Sequence, residues 1–378
     1  MKKKILVDTI SLLSPFTGIA RYTYENTSRI IKQDTSNNSY FFNYATHHSA
    51  TLSSKATQSK LKSIIVKMPL LKKVLRKLIS IYTKLYTPSY DLYWQPNFIP
   101  EPNIKAKVVV ATVHDFSFYL QPNWHPKERL EHFNKYFWKL LPKVDHIITG
   151  SDFSKQEIIK YLDYDSNRIT VIPHALDHNL YKEYTKEQLL PTKQKLDLPD
   201  NFILFVGSIE PRKNLLTLLK AYSNLPTYIK ETYPLLLVGF KGWENKEIFS
   251  IIQKQKDYIK YLGYIDDEDL AHIYALATIF VFPTHYEGFG IPPIEAFACA
   301  TPTIVSKVAS LPQVCQDATL YIDPLNQDDI TQKILMLLQS PKLQQELIEK
   351  GLKKAQQYSW DKAAKMHLGL FQKLLSST

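Results

Sequence analysis

Two doubly wound α/β domains are what this sequence predicts, on three observations. Short runs rich in Ile, Val and Phe alternate with helical patterns from end to end. The 378 residues exceed what one hydrophobic core usually organises, and a hydrophobic fraction of 44% can fill two. A polar, lysine-rich stretch near the middle, HNLYKEYTKEQLLPTKQKLDLPD, interrupts the alternation before the apolar onset at Phe202.

Taken in order, the strand-like runs of the first half are ILVD (5–8), FFNYA (41–45), DLYW (91–94), VVVATV (108–113), HIIT (146–149) and ITVI (169–172). Those of the second half are ILFVG (203–207), LLLVG (235–239), IKYLGYI (259–265), IFVFPT (279–284) and PTIVS (302–306). The pattern divides the chain at 1–180, an N-terminal Rossmann-like domain, and 181–358, a C-terminal one, with 359–378 as a terminal helix. Two such domains are expected to face a central cleft, and open α/β sheets bind ligands outside the carboxyl ends of their strands.

Composition excludes several classes. The apolar run of MKKKILVDTI stops at Asp8, too early for a secretion signal, and no segment is long and apolar enough for a membrane span. The two cysteines, Cys299 and Cys315, lack metal-ligand or redox spacing, which favours a reducing cytoplasm and no structural zinc. The net charge of +11 is unevenly spread: residues 1–180 hold 25 Lys/Arg against 14 Asp/Glu, and residues 35–90 hold no acid at all. Such a face attracts anionic surfaces, though no nucleic-acid reader motif accompanies it. Within it PLLKKVLRKLISIYTKLY puts Leu70, Leu71, Val74, Leu75, Leu78 and Ile79 on one helical face and Lys72, Lys73, Arg76 and Lys77 largely off it. That pattern suits an anionic membrane surface, or equally a helix packed on its own domain with its lysines in water.

The segment with most chemistry is HYEGFGIPPIEAFACATP, where a strand runs through a glycine-containing turn into a proline-started helix. Gly288, Phe289, Gly290 and Ile291 form the entry, and glycines there let a ligand approach the helix N-terminus, whose free N–H groups favour a diphosphate. Glu287 precedes the turn and Glu295 lies about one turn inside the helix, so both carboxylates can accept hydrogen bonds from sugar or ribose hydroxyls. Alone, the pair would read as a helix cap plus a surface carboxylate; the flanking glycines and prolines favour a ligand. Two acids on one loop-helix unit do not readily flank an anomeric carbon as a glycosidase pair does.

In FVGSIEPRKNLLTLLKAY a strand ends at Gly207 and a helix begins near Asn214, placing Arg212 and Lys213 where they can clamp phosphate oxygens. TVHDFSF delivers His114 and Asp115 from a buried-looking strand to a carboxyl-end loop. Gly18 opens the helix after the first strand without completing a dinucleotide fingerprint. Asp163 and Asp165 have Asp-x-Asp spacing but follow a helical pattern, so a turn is expected there and no metal.

These segments, with TGSDFSKQEI, VIPHALD and SLPQV in order, resemble glycosyltransferase family 4 over nearly the whole chain. The resemblance implies a two-domain GT-B fold and sugar transfer with retention of anomeric configuration. It further implies that Glu287 contacts the transferred sugar, Glu295 the nucleotide ribose, Lys213 and Arg212 the diphosphate, and His114 the sugar near the reacting carbon. Gly18 would match the first-loop glycine, and the terminal helix would cross back to the first domain. Catalytic roles fall to Glu287, His114 and Lys213. Ser208, His174 and Gln313 stand where the family frequently has arginine, asparagine and glutamate; Ser208 either puts more of the phosphate clamp on Arg212 or leaves the site with one cation fewer than usual. GIARYTYEN and GSIEPRKN look most like mannosyltransferases, pointing to GDP-mannose, with UDP-hexoses next. The acceptor implied is a lipid-linked glycan in surface-polysaccharide (lipopolysaccharide O-antigen) synthesis on the cytoplasmic leaflet. A catalytically silent binding partner is the alternative.

Overall fold

The computed structural model describes residues 2–13, 18–44, 48–53, 88–242 and 245–377. The basic amphipathic segment with Lys72, Lys73, Arg76 and Lys77 lies outside them. Two compact units emerge, one comprising Met1–Phe116, His125–His174 and Trp360–Thr378, the other Ser117–Trp124 and Ala175–Ser359.

The first unit holds a sheet of β1 (Lys4–Asp8), β2 (Ser39–Asn43), β3 (His48–Ser49), β4 (Ser89–Gln95), β5 (Lys105–Thr112), β6 (His146–Thr149) and β7 (Ile169–Val171). Their order is β3-β2-β1-β4-β5-β6-β7, parallel throughout except for β3 on the edge. β6 is buried at all four positions, as expected of a parallel strand covered on both faces. The Trp360–Ser376 helix packs on the Gly18–Gln33 helix although some 330 residues separate them in sequence. A buried polar network fixes that contact. The Trp94 indole donates to Thr112 Oγ1 at 3.0 Å, and Tyr22 Oη meets His367 Nε2 at 2.9 Å. His367 Nδ1 lies 2.8 Å from the Ala363 carbonyl, which can only accept, so Nδ1 carries the proton and Nε2 accepts from Tyr22.

The second unit holds β8 (Ile203–Val206), β9 (Leu235–Val238), β10 (Ile259–Gly263), β11 (Ile279–Phe282), β12 (Thr303–Ser306) and β13 (Leu320–Ile322), all parallel, in the order β10-β9-β8-β11-β12-β13. Alternate residues of each central strand feed opposite cores: Leu204, Val206, Phe280 and Phe282 one, Ile203, Phe205, Ile279 and Val281 the other. The direction of winding reverses between β8 and β11, and the crevice at such a reversal is where open α/β sheets take ligands.

Three features differ from the sequence reading. β3 and β13 are short and half-buried, too brief to show a hydrophobic period. The second unit begins at Ala175, before 180, because Leu176 and Tyr181 join its core, and it also takes Ser117–Trp124. The polar stretch after Asp177 is no plain linker but carries the Lys186–Lys195 helix, capped reciprocally by Thr185 and Gln188. Asp163 and Asp165 do form a turn: the first is a left-handed helix terminus, and the second caps Ser166–Arg168 through Asn167 N.

Candidate active site

Three loops at the carboxyl ends of β8, β11 and β12 are tied together in the second unit. After β8 the chain turns through Pro211–Lys213 and reaches a left-handed Asn214, whose Nδ2 donates to the carbonyls of Pro283 (2.9 Å) and Pro324 (2.8 Å). His285 N and Thr284 Oγ1 both donate to the Arg212 carbonyl at 2.9 Å. Ser310, after β12, donates through Oγ to the carbonyls of Glu287 (2.8 Å) and Phe289 (3.0 Å). Gly290 then caps the Ile291–Ala298 helix at φ 94°, with prolines in the first turn, and an added Cβ would lie 2.5 Å from Leu311 Cδ2. The left-handed backbone favours glycine there, and a side chain would also have to displace the end of Leu311.

This scaffold holds one buried charge cluster. Glu287 Oε1 is 2.5 Å from Lys213 Nζ and Oε2 is 2.8 Å from an Arg212 guanidinium nitrogen. Arg212 also binds Glu210 Oε1 at 3.0 Å and the Tyr286 carbonyl at 3.2 Å. Burial pushes the Glu287 carboxyl up, but the Arg212 and Lys213 charges outweigh it and hold it below its usual range. Burial, then repulsion from Arg212, pulls the Lys213 ammonium down against the attraction of Glu287. Glu287 is thus a fixed carboxylate and no general acid. Glu295, also buried, accepts from Tyr274 Oη at 3.1 Å, and the Tyr274 phenol is pushed well up by burial and by that carboxylate. Phe289 is buried edge-on against Tyr358, while Ser208 and Ile291 are half-buried and Gly288 buried in the same loops.

His114 and Gly18 belong to the first unit. Burial pulls the His114 imidazole below its usual range, and its Nε2 lies 2.9 Å from the Pro96 carbonyl, so Nε2 carries the proton and Nδ1 is an acceptor. The ring stacks on His174 at 5.3 Å and meets Tyr22 edge-on at 5.1 Å. Gly18 begins its helix in open space, with no described atom within 4 Å of where a side-chain methyl would sit, so packing alone does not demand glycine there.

Sequence reasoning overlooked Glu210, although it stands two residues before Arg212 in GSIEPRKN. It also missed Phe240 and Tyr264, exposed residues just after β9 and β10 whose rings stack at 4.5 Å. Phe240 is fixed to the loop after β8, since Ile209 N donates to its carbonyl at 2.9 Å.

Residues 186–354 match the glycosyl transferases group 1 family, and residues 85–180 match Glycosyltransferase Family 4. Over 98% of its length the chain is 33% identical to O-antigen chain mannosyltransferase B of Escherichia coli, and covers 100% of that protein. The chain belongs to glycosyltransferase family 4. This glycosyltransferase is also 31% identical, over 74% of its length, to the serotype-specific mannosyltransferase WbdA of Escherichia coli, of which it covers 35%. Sucrose-phosphate synthase from Thermosynechococcus elongatus matches it over 100% of both chains with a TM-score of 0.72 and 19% identity, the GT-B fold. No helix among the described residues is long and apolar enough to cross a membrane.

Proposed function

We propose that this glycosyltransferase moves mannose from GDP-mannose to a growing O-antigen glycan with retention of configuration. The observation that carries the reading is the Glu287 carboxylate bridging Lys213 and Arg212 at the carboxyl ends of β8 and β11. A buried lysine and a half-buried arginine at the sheet's switch point suit a diphosphate, and a carboxylate between them suits the hydroxyls of the sugar it carries. The likeness to O-antigen mannosyltransferase B over 98% of the chain favours mannose. Glu295 then accepts the ribose hydroxyls, and the exposed Phe240–Tyr264 stack offers a face to the guanine.

In this reading the bond from the sugar C1 to the phosphate oxygen breaks as an acceptor hydroxyl attacks from the same face. The hydroxyl proton passes to the departing GDP, whose charge Lys213 and Arg212 neutralise without a metal. His114, neutral, accepts a hydrogen bond from a sugar hydroxyl through Nδ1. The acceptor is a lipid-linked glycan at the cytoplasmic membrane face, in keeping with the acid-free, basic stretch 35–90.

A panel of GDP- and UDP-sugars, scored by thermal stabilisation and donor hydrolysis in EDTA, tests the reading. GDP-mannose should stabilise the protein most and be hydrolysed despite the chelator. A stronger response to a UDP-hexose would transfer the assignment to that donor, and loss of hydrolysis in EDTA would overturn the metal-free mechanism.

A further inference from the structure

Beside the charge cluster lies a cavity of about 320 Å³, its lining residues all in the second unit. Trp124 and His285 form one wall, their rings nearly parallel (15°) with centroids 5.7 Å apart. Leu216 and Ile248 add apolar surface, and Glu210 and Glu247 supply carboxylates. Glu210 is 8% exposed and lines the cavity, and its side-chain bonds to Arg212 both go to Oε1. Glu247 is paired only at the surface, with Lys220 at 3.1 Å.

We propose that this cavity is a glycan subsite that holds one or two sugar rings of the acceptor or product chain, separate from the donor site. It rests on the reading of this enzyme as a transferase acting on a glycan. Three properties select the ligand class. The Trp124–His285 stack contributes aromatic surface to the wall, the kind of surface on which the C–H groups of a pyranose pack. Carboxylates are acceptors only, matched to hydroxyl donors. Among the described residues no lysine or arginine lines the cavity and two acids do, a charge that disfavours phosphates and nucleotides. The volume falls in the range of small-ligand sites.

The position also couples the two sites. Glu210 lines the cavity and holds Arg212 through Oε1, and Arg212 in turn holds Glu287. His285 donates its backbone N–H to the Arg212 carbonyl and stands two residues before Glu287. A sugar bound to Glu210 and Trp124 thus braces the diphosphate clamp from behind.

The test is titration of the full chain, with GDP present, using an α-linked mannose oligosaccharide and, separately, free mannose. The wild type should bind the oligosaccharide more tightly than mannose. Trp124→Ala and Glu247→Lys should each weaken oligosaccharide binding by about fivefold or more, and Trp124→Phe should restore most of it, with GDP affinity unchanged in all three. Oligosaccharide binding indifferent to both disruptive variants, or absent from the wild type, overturns the proposal. Failure of the mannosyltransfer reading registers separately: a chain that hydrolyses no GDP-mannose but binds the oligosaccharide through Trp124 keeps the cavity and loses the donor assignment.

Discussion

Glu287 shares two cations that a diphosphate would also seek, and this competition makes its removal informative. A buried ion pair that loses one partner leaves an uncompensated charge, typically at a cost of about 3–5 kcal/mol. In Glu287→Ala, Arg212 retains Glu210 and Lys213 loses its carboxylate, so Lys213 bears most of that cost. A diphosphate can repair it. Glu287→Ala should therefore melt lower than the wild type without nucleotide, bind GDP at least as tightly, and lose roughly 10²–10³-fold in transfer rate, the scale of one electrostatic transition-state contact. Lys213→Ala should instead lose GDP affinity and transfer together. Calorimetric GDP titrations alongside initial rates separate the two; weaker GDP binding by Glu287→Ala would contradict the assignment. The two acids and two cations were legible in the sequence because glycines and prolines advertise a strand-turn-helix around them. Their pairing was not, since it depends on where β8 and β11 lie in the sheet.

At the scale of elements, the loops after β8 and β9 owe their contact to glycine. Gly239 sits at φ 144°, and a Cβ there would fall 2.1 Å from the Gly207 carbonyl oxygen, a backbone atom that cannot swing away. Gly242 stands in the same relation to the Ile209 carbonyl at 2.3 Å. Gly239→Ala must separate the loop after β8 from the loop bearing Phe240, and the unfavourable φ adds strain. Its expected result is a lower melting temperature together with weaker GDP binding, whereas Phe240→Ala should weaken GDP binding with little change in melting. Equal GDP affinity in both variants and the wild type would remove the aromatic shelf from the donor site. Gly239 closes an apolar run, LLLVG, that marked the strand clearly, but its clash partner lies 32 positions earlier and no local pattern reveals it. β3 and β13 were hidden for a related reason, because strands of two or three residues take their pairing from neighbours and not from their own periodicity.

Across the whole molecule, the two units carry different responses to acid. In the first unit His114, His146, His174 and His367 are all held below the usual imidazole range, each chiefly by burial, His146 and His367 at about 4. A depressed histidine stabilises the folded state above its unfolded value near 6.5, and that stability is lost as pH falls toward the folded value. For His367, whose Nε2 must stay unprotonated to accept from Tyr22, the loss amounts to about 3 kcal/mol by about pH 4. Asp8 acts in the opposite sense: burial raises its carboxyl to about 6, so acidification toward 4 favours its folded state and offsets part of one histidine. In the second unit His285 is depressed by burial, while the lowered carboxyls of Glu287 and Asp269 lose their contribution only as pH falls below the ordinary carboxylate range. The first unit should therefore lose stability sooner on going from about pH 7 to about 4.5. Scanning calorimetry with saturating GDP can assign the transitions, because a ligand of the second unit raises only the transition of the unit that binds it. The transition that GDP leaves unmoved should fall faster with pH, and His367→Gln should flatten its pH dependence. Parallel movement of both transitions, or an unchanged slope in His367→Gln, would show that the buried histidines do not set the acid limit of the fold.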